Sequence, residues 1–275
     1  MKEHFFEDRI YYRTNEFKPD RLTLVFAHGV SGSSSAWLPY EKILENKYNI
    51  LTYDIRGHGL SKKYPRYEDY EIKNFVNDLH DLVTHLNISK FVLISNSFAG
   101  LVHLEYLKLY RNTVVANVFT SPEIYINQGF SAKIFRPILK VITSGLRFLP
   151  FNSKPRGHVN YAKHIGSTDW NIKRNLADMK NTGLHAHFYT LRKSFEFAQE
   201  YSLEKINVPT LILHGKKDSM VPLKNGVEMS KKIKNSEFRS IPNIDHNTVH
   251  NAVKEMSEAI ESFLEKNKTS FSKSL

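Results

Sequence analysis

Lys90-Phe91-Val92-Leu93-Ile94, followed by Ser95-Asn96-Ser97-Phe98-Ala99-Gly100, is the stretch on which the reading of this chain turns. A short apolar run of this kind suits a fully buried strand, and a helical pattern follows it to about Tyr110. A serine on a sharp strand-to-helix turn is held above the strand's C-terminal edge. It also lies close to a helix N-terminus, whose unpaired N–H groups suit a developing negative charge on oxygen. Such a turn brings neighbouring backbone into close contact, so the residues two before and two after the serine must be small. Ser95 and Ala99 meet that demand around Ser97, although glycine is usual at both places. Ser95 could compete as a nucleophile, but it lacks small neighbours on both sides.

Outward from this stretch, short β-rich runs alternate with helical patterns. The expected fold class is α/β, a doubly wound, mostly parallel eight-stranded sheet. Phe5 to Phe17 reads as an antiparallel pair ahead of it. Leu22 to Ala27 is a strand ending in His28-Gly29, and Asn49 to Tyr53 is a strand ending in Asp54-Ile55-Arg56-Gly57-His58-Gly59. Ile72, Phe75, Val76, Leu79, Leu82, Val83 and Leu86 recur at helical spacing. Val114 to Thr120, Thr210 to His214 and a run through Ile241 complete the strands. The last helix carries Val249, Val253, Met256, Ile260 and Phe263. The rhythm breaks between Ser121 and Ile206, where helical patterns stand alone. One carries Ile134, Phe135, Ile138, Leu139, Ile142 and Leu146; others span Ile172 to Met179 and Leu184 to Phe197. Residues 1–121 and 207–265 are therefore expected to form the core, 122–206 an inserted helical cap, and 266–275 a flexible tail.

A serine hydroxyl is a poor nucleophile until a base takes its proton, and the base needs an orienting acid. Leu211-Ile212-Leu213-His214-Gly215 runs into a loop carrying Asp218, and His246 follows the next strand just before the last helix. Both would share the C-terminal edge of the sheet with Ser97, in the order serine, acid, histidine.

The chain resembles the α/β-hydrolase superfamily, in particular esterase- and lipase-like serine hydrolases with a helical cap. His28-Gly29-Val30 resembles its oxyanion loop, and Asp54-Ile55-Arg56-Gly57-His58-Gly59-Leu60-Ser61 resembles its D-x-R-G-x-G-x-S segment. The resemblance implies Ser97 as nucleophile, Asp218 as acid, His246 as base, and the backbone N–H groups of Phe98 and Val30 as oxyanion donors. It implies cleavage of carboxylic esters through an acyl-enzyme, as in a carboxylesterase or monoacylglycerol lipase. Carbon–carbon bond hydrolysis of the ring-cleavage type, thioester hydrolysis and cofactor-free perhydrolysis use the same scaffold. A non-catalytic hydrolase-fold receptor is the reading outside enzymes. Asn96 before the nucleophile resembles the ring-cleavage branch, whereas the Asp54-to-Ser61 segment resembles esterases.

Most of the 13 histidines must be structural. His28 and His58 suit loop support, and His103, His185, His214 and His250 suit packing. Asp245 adjoins His246 too closely in sequence to orient it. Glu123, just after the strand ending at Thr120, is the stronger rival to Asp218. No metal site is expected: His185-x-His187 lacks a third partner and would point its rings apart on a helix. No phosphate-binding glycine loop is present, and no cofactor is expected.

The absence of cysteine excludes thiolate nucleophiles and disulfides. The N-terminus, Met1-Lys2-Glu3-His4-Phe5-Phe6-Glu7-Asp8, is too acidic and broken for a secretory signal, so a cytoplasmic location is expected. Net charge is +11. Residues 123–205 carry 13 Lys/Arg and 6 Asp/Glu (+7), leaving 26 and 22 (+4) for the rest. That excess suits a solvated face, peripheral contact with anionic lipid headgroups, or steering of small acidic substrates. No nucleic-acid-binding module accompanies it. An apolar lid over the serine would make an apolar acyl or alkyl pocket, with Trp37, Phe98, Ile124, Tyr125, Phe135 and Met220 as candidate lining residues.

Overall fold

The chain begins with an antiparallel pair, β1 (Lys2–Phe6) and β2 (Ile10–Thr14), turned by Glu7 and Asp8 in left-handed backbone. This is a computed structural model, and it describes residues 1–125, 130–197 and 202–272. The main strands are β3 (Thr23–Ala27), β4 (Asn49–Tyr53), β5 (Phe91–Asn96), β6 (Val114–Thr120), β7 (Thr210–Gly215) and β8 (Ser236–Ile241). They form one eight-stranded sheet in the order β1-β2-β4-β3-β5-β6-β7-β8. Pairing from β4 to β8 is parallel, and β2 joins β4 antiparallel. The central strands are buried throughout except for Asn96 at the end of β5, as a sheet covered on both faces requires.

Helices α1 (Leu38–Leu44), α2 (Ile72–His85) and α3 (Ala99–Tyr110) lie in the first half of the chain. Then come α4 (Phe130–Leu146), α5 (Ile172–Thr182) and α6 (Leu184–Glu196), followed by α7 (Leu223–Lys232), α8 (Thr248–Asn251), α9 (Val253–Lys266) and α10 (Lys268–Ser272). Two apolar clusters sandwich the sheet. In one, Phe75, Leu79 and Leu82 of α2 meet Leu101 and Leu104 of α3 and Met229 of α7. In the other, Tyr40 and Leu44 of α1 meet Met256, Ile260 and Phe263 of α9. Burial of such side chains contributes about 1.5–3 kcal/mol each.

The expected last helix is two, broken at Ala252. The tail expected from 266 continues as helix to Ser272, because Phe271 finds a buried place in the second cluster. Residues 273–275 lie outside the described residues. Between β6 and β7 the described residues hold α4, α5 and α6 and no strand. Because β3 to β8 all run parallel, the loops after β3, β5, β6, β7 and β8 open at one edge.

Candidate active site

The turn after β5 places Ser97 at φ +53°, in the left-handed region that an ordinary side chain avoids. Ser97 N–H donates to the Thr120 carbonyl at 2.9 Å, tying the turn to the end of β6. Gly29 lies so close that a Cβ on it would stand 3.0 Å from Ser97 Cβ and 3.1 Å from Asn96 Oδ1. The Ser95 hydroxyl turns away beneath α3 and hydrogen-bonds His103 Nδ1 at 2.9 Å. Ser95 therefore stays in the core, and Ser97 is the serine presented at the sheet edge.

The loop after β7 brings Asp218, and the loop after β8 brings His246. His246 Nε2 lies 2.8 Å from Ser97 Oγ, and His246 Nδ1 lies 2.8 Å from Asp218 Oδ2. Asp218 Oδ1 accepts the N–H groups of Met220 and Val221, at 3.0 and 2.8 Å. His214 Nε2 stands 3.2 Å from Asp218 Oδ2. Burial alone would raise the Asp218 carboxyl. The imidazole of His246, with hydrogen bonds from His214 and His246, instead holds it well below the usual carboxylate range. Burial would lower the His246 imidazole, but Asp218, Glu123 and Asp169 around it raise it.

Glu123 is placed differently from Asp218. Its Oε1 accepts the Ser97 hydroxyl at 2.8 Å, and its Oε2 is buried with no partner. Among the described contacts it makes none with His246 Nδ1, which Asp218 occupies. A hydroxyl carries one proton, so Ser97 donates to Glu123 or to His246 at any moment, not to both.

Neither the Phe98 nor the Val30 N–H has a hydrogen-bond acceptor among the described residues. Phe98 opens α3, and Val30 lines the cavity above Ser97. That cavity measures about 380 Å³. Trp37 and Met220 line it, as expected from sequence. Ile124, Tyr125, Phe135 and the Phe98 side chain do not. Ile124 and Phe98 are buried in the main core, Tyr125 packs against that core, and Phe135 is 46% exposed on α4. The insertion contributes Tyr161, Trp170, Met179 and Leu191 together with Arg174, Asn175, Asp178 and His187, so the wall opposite Ser97 mixes aromatic and aliphatic side chains with polar ones. Arg174 pairs with Asp178 at 2.9 Å, and Tyr161 donates to Asp178 at 3.0 Å.

The insertion also reaches the loops themselves through Asp169, which the sequence reading did not single out. Asp169 Oδ1 accepts the His246 N–H at 2.8 Å and the Asn247 amide at 3.2 Å. Its Oδ2 accepts the Ser219 N–H at 3.0 Å and the Ser219 hydroxyl at 2.7 Å. One buried carboxylate thus ties together the two loops that carry Asp218 and His246. A signal was present: Asp169 is the first acidic residue after Glu123.

The histidines set aside from sequence have structural partners. His28 Nε2 accepts the Ile55 N–H, and His58 Nδ1 contacts the Arg56 carbonyl. His185 and His214 meet the carbonyls of Leu146 and Val221, and His250 stacks on Tyr161. The loop after β4 is held by buried Asp54, which accepts the N–H groups of Ser34 and Leu60 and pairs with His158 at 2.7 Å. Gly59, at φ +48°, passes so close that a Cβ would sit 2.1 Å from Asp54 Oδ2. No group of three or more His, Asp or Glu among the described residues is arranged to hold a metal ion. No described helix is long and apolar enough to cross a membrane.

Comparison with known proteins agrees with this architecture. The family model described as alpha/beta hydrolase fold matches residues 23–252. The chain is 25% identical over 223 residues to 3-oxoadipate enol-lactonase 1 of Acinetobacter baylyi, covering 79% of each protein. It is similar in structure to a thermophilic esterase from Thermogutta terrifontis, with TM-score 0.71, 19% identity and 94% of each chain covered. It is also similar to a bromoperoxidase from Bacillus anthracis, with TM-score 0.66, 24% identity and coverage of 93% and 95%. At these identities the structural likenesses speak for the fold alone.

Proposed function

The chain belongs to the α/β-hydrolase fold family, and from that premise we propose that it is a serine hydrolase that cleaves carboxylic esters through an acyl-enzyme on Ser97. The observation that carries this reading is the hydrogen-bonded series Ser97–His246–Asp218, with 2.8 Å at each step. Ser97 Oγ attacks the ester carbonyl as His246 Nε2 takes its proton. Asp218 fixes the imidazole through Nδ1 and stabilises its charged form. The negative charge on the carbonyl oxygen meets the open N–H groups of Phe98 and Val30, a contribution of roughly 3–4 kcal/mol per donor. His246 then returns the proton to the departing alcohol. A water molecule, deprotonated by His246, cleaves the acyl-enzyme and releases the acid.

Asp169 is the positioning residue of this scheme: it fixes the backbone of His246 and adds negative charge behind the imidazolium. The cavity, about 380 Å³ in volume, favours compact acyl groups over long alkyl chains. The enol-lactonase likeness supports an ester-type bond, a lactone being an internal ester.

The test is a panel of p-nitrophenyl esters of increasing acyl length, assayed with wild type and Ser97→Ala. Hydrolysis is expected to peak at short acyl groups. Ser97→Ala should lose about 10⁴-fold or more in kcat. Activity that persists in Ser97→Ala would overturn the proposal, and a maximum at long chains would overturn the reading of the cavity.

A further inference from the structure

Between Ile124 and Thr168 the chain carries seven Lys/Arg and not one Asp or Glu in 45 residues. The same region is unusually apolar on its outside. Of the 16 large apolar side chains that stand well exposed among the described residues, seven lie in this stretch, from Ile134 to Ile165. Helix α4 concentrates both properties. Ala132, Leu139, Thr143 and Leu146 form its buried face, with Ala132 and Leu139 packed on Phe195 of α6. At 100° per residue, Ile134, Ile138 and Val141 fall on the opposite side, with Val141 74% exposed. Lys133, Arg136, Lys140 and Arg147 form one shoulder between the two faces, all exposed. Phe148, just past the helix, is 75% exposed, and the Arg147 guanidinium lies 4.6 Å over its ring.

Two further facts decide what such a face suits. Among the described residues the insertion's carboxylates are engaged elsewhere: Glu123 by Ser97, Asp169 by the His246 and Ser219 loops, Asp178 by Arg174, Glu196 by Arg192 and Glu204 by Ser202. A second copy pairing through this same face would bring the same positive charge and be repelled. Aliphatic side chains gain most from hydrocarbon, and lysine and arginine flanking them gain from anionic headgroups.

We propose that the outer face of α4, with Phe148 and Leu149 after it, docks the protein on an anionic lipid bilayer. Ile134, Ile138, Val141 and Phe148 enter the headgroup boundary, while Lys133, Lys140 and Arg147 meet the headgroup charges. This goes beyond the hydrolase reading and does not depend on it.

The test is flotation of the full chain with vesicles of phosphatidylcholine alone and of phosphatidylcholine with phosphatidylserine. Binding should be at least about tenfold stronger to the mixed vesicles and should fade as salt is raised. The triple variant Lys133→Glu, Lys140→Glu, Arg147→Glu should lose about tenfold or more. Val141→Asp should weaken binding through the apolar contact. All four positions are exposed, so the variants should unfold at the same temperature as wild type. Ser97→Ala should float as wild type does, separating docking from catalysis. The proposal is overturned by equal flotation with both vesicles, by no flotation, or by a triple variant that binds unchanged. Sedimentation showing dimers that Val141→Asp dissolves would reassign the face to self-association and overturn it too.

Discussion

Two parts of the β6–β7 insertion sit on the same scaffold and differ in what they touch. Residues 158–187 are built into the site: His158 pairs with Asp54, Asp169 holds the loops of Asp218 and His246, and Thr182 donates to the Ser31 carbonyl. Helix α4 packs on α6 and leaves Ile134, Phe135, Ile138 and Val141 in solvent. Both parts are amphipathic in sequence. What separates them is the placement of acid: the first contains Asp169 and Asp178, and α4 contains no carboxylate. Apolar periodicity makes a helix; fixed polar partners decide which helix becomes part of the machinery.

The largest expected effect comes from buried histidines, which α4 lacks. His28, His187 and His250 line the cavity. Burial keeps His28 and His187 neutral down to about pH 4, and His250 down to about pH 3. The unfolded imidazoles bind protons from about pH 6.5 downward while these do not. Folding stability should therefore fall as pH drops below 6.5, by roughly 1.4 kcal/mol per pH unit for each such histidine. Chemical denaturation at a series of pH values measures this, and a flat profile between pH 6.5 and 4.5 would contradict it. Helix α4, with no histidine, should contribute nothing to the slope.

Next in size is Asp169. Asp169→Ala should lower kcat about 100-fold by loosening the His246 loop. Asp169→Asn should recover part of that loss. Activity needs neutral His246, whose imidazole is raised, so the acid limb of kcat should lie above the ordinary value of 6.5. Removing the Asp169 charge in Asp169→Asn should move that limb to lower pH, a shift that mere loosening would not produce.

The smallest effect belongs to α4. Ile138→Ala should change unfolding free energy by no more than about 0.5 kcal/mol. Ile260→Ala, in the fully buried stripe of α9, should cost about 2–5 kcal/mol. Similar costs for the two would mean that the outer face of α4 is not free.

The central strands were legible because they are short apolar runs closed by small or polar loops. The meeting of Ser97, His246 and Asp218 was legible for the same reason, since each side chain lies just past the end of a parallel strand. Asp169 and Arg174 were not, because they reach the site only through the docking of the insertion, which no local pattern encodes. Nearness along the chain suggests a place in the cavity for Ile124, Tyr125 and Phe135, which the packing of the insertion does not give them. The α4 stripe, however, spans two faces, and only Leu139 and Leu146 of its six apolar positions are buried, Ile142 being half-buried. Phe271 escaped notice because a single aromatic in a Lys/Ser-rich tail carries no periodicity.

Covalent modification reports most directly on whether Ser97 is an activated nucleophile. Intact-protein mass spectrometry after treatment with a fluorophosphonate should show one adduct, mapped to Ser97, absent in Ser97→Ala and formed far more slowly in His246→Ala. An adduct on another residue, or none on folded wild-type protein, would contradict the account.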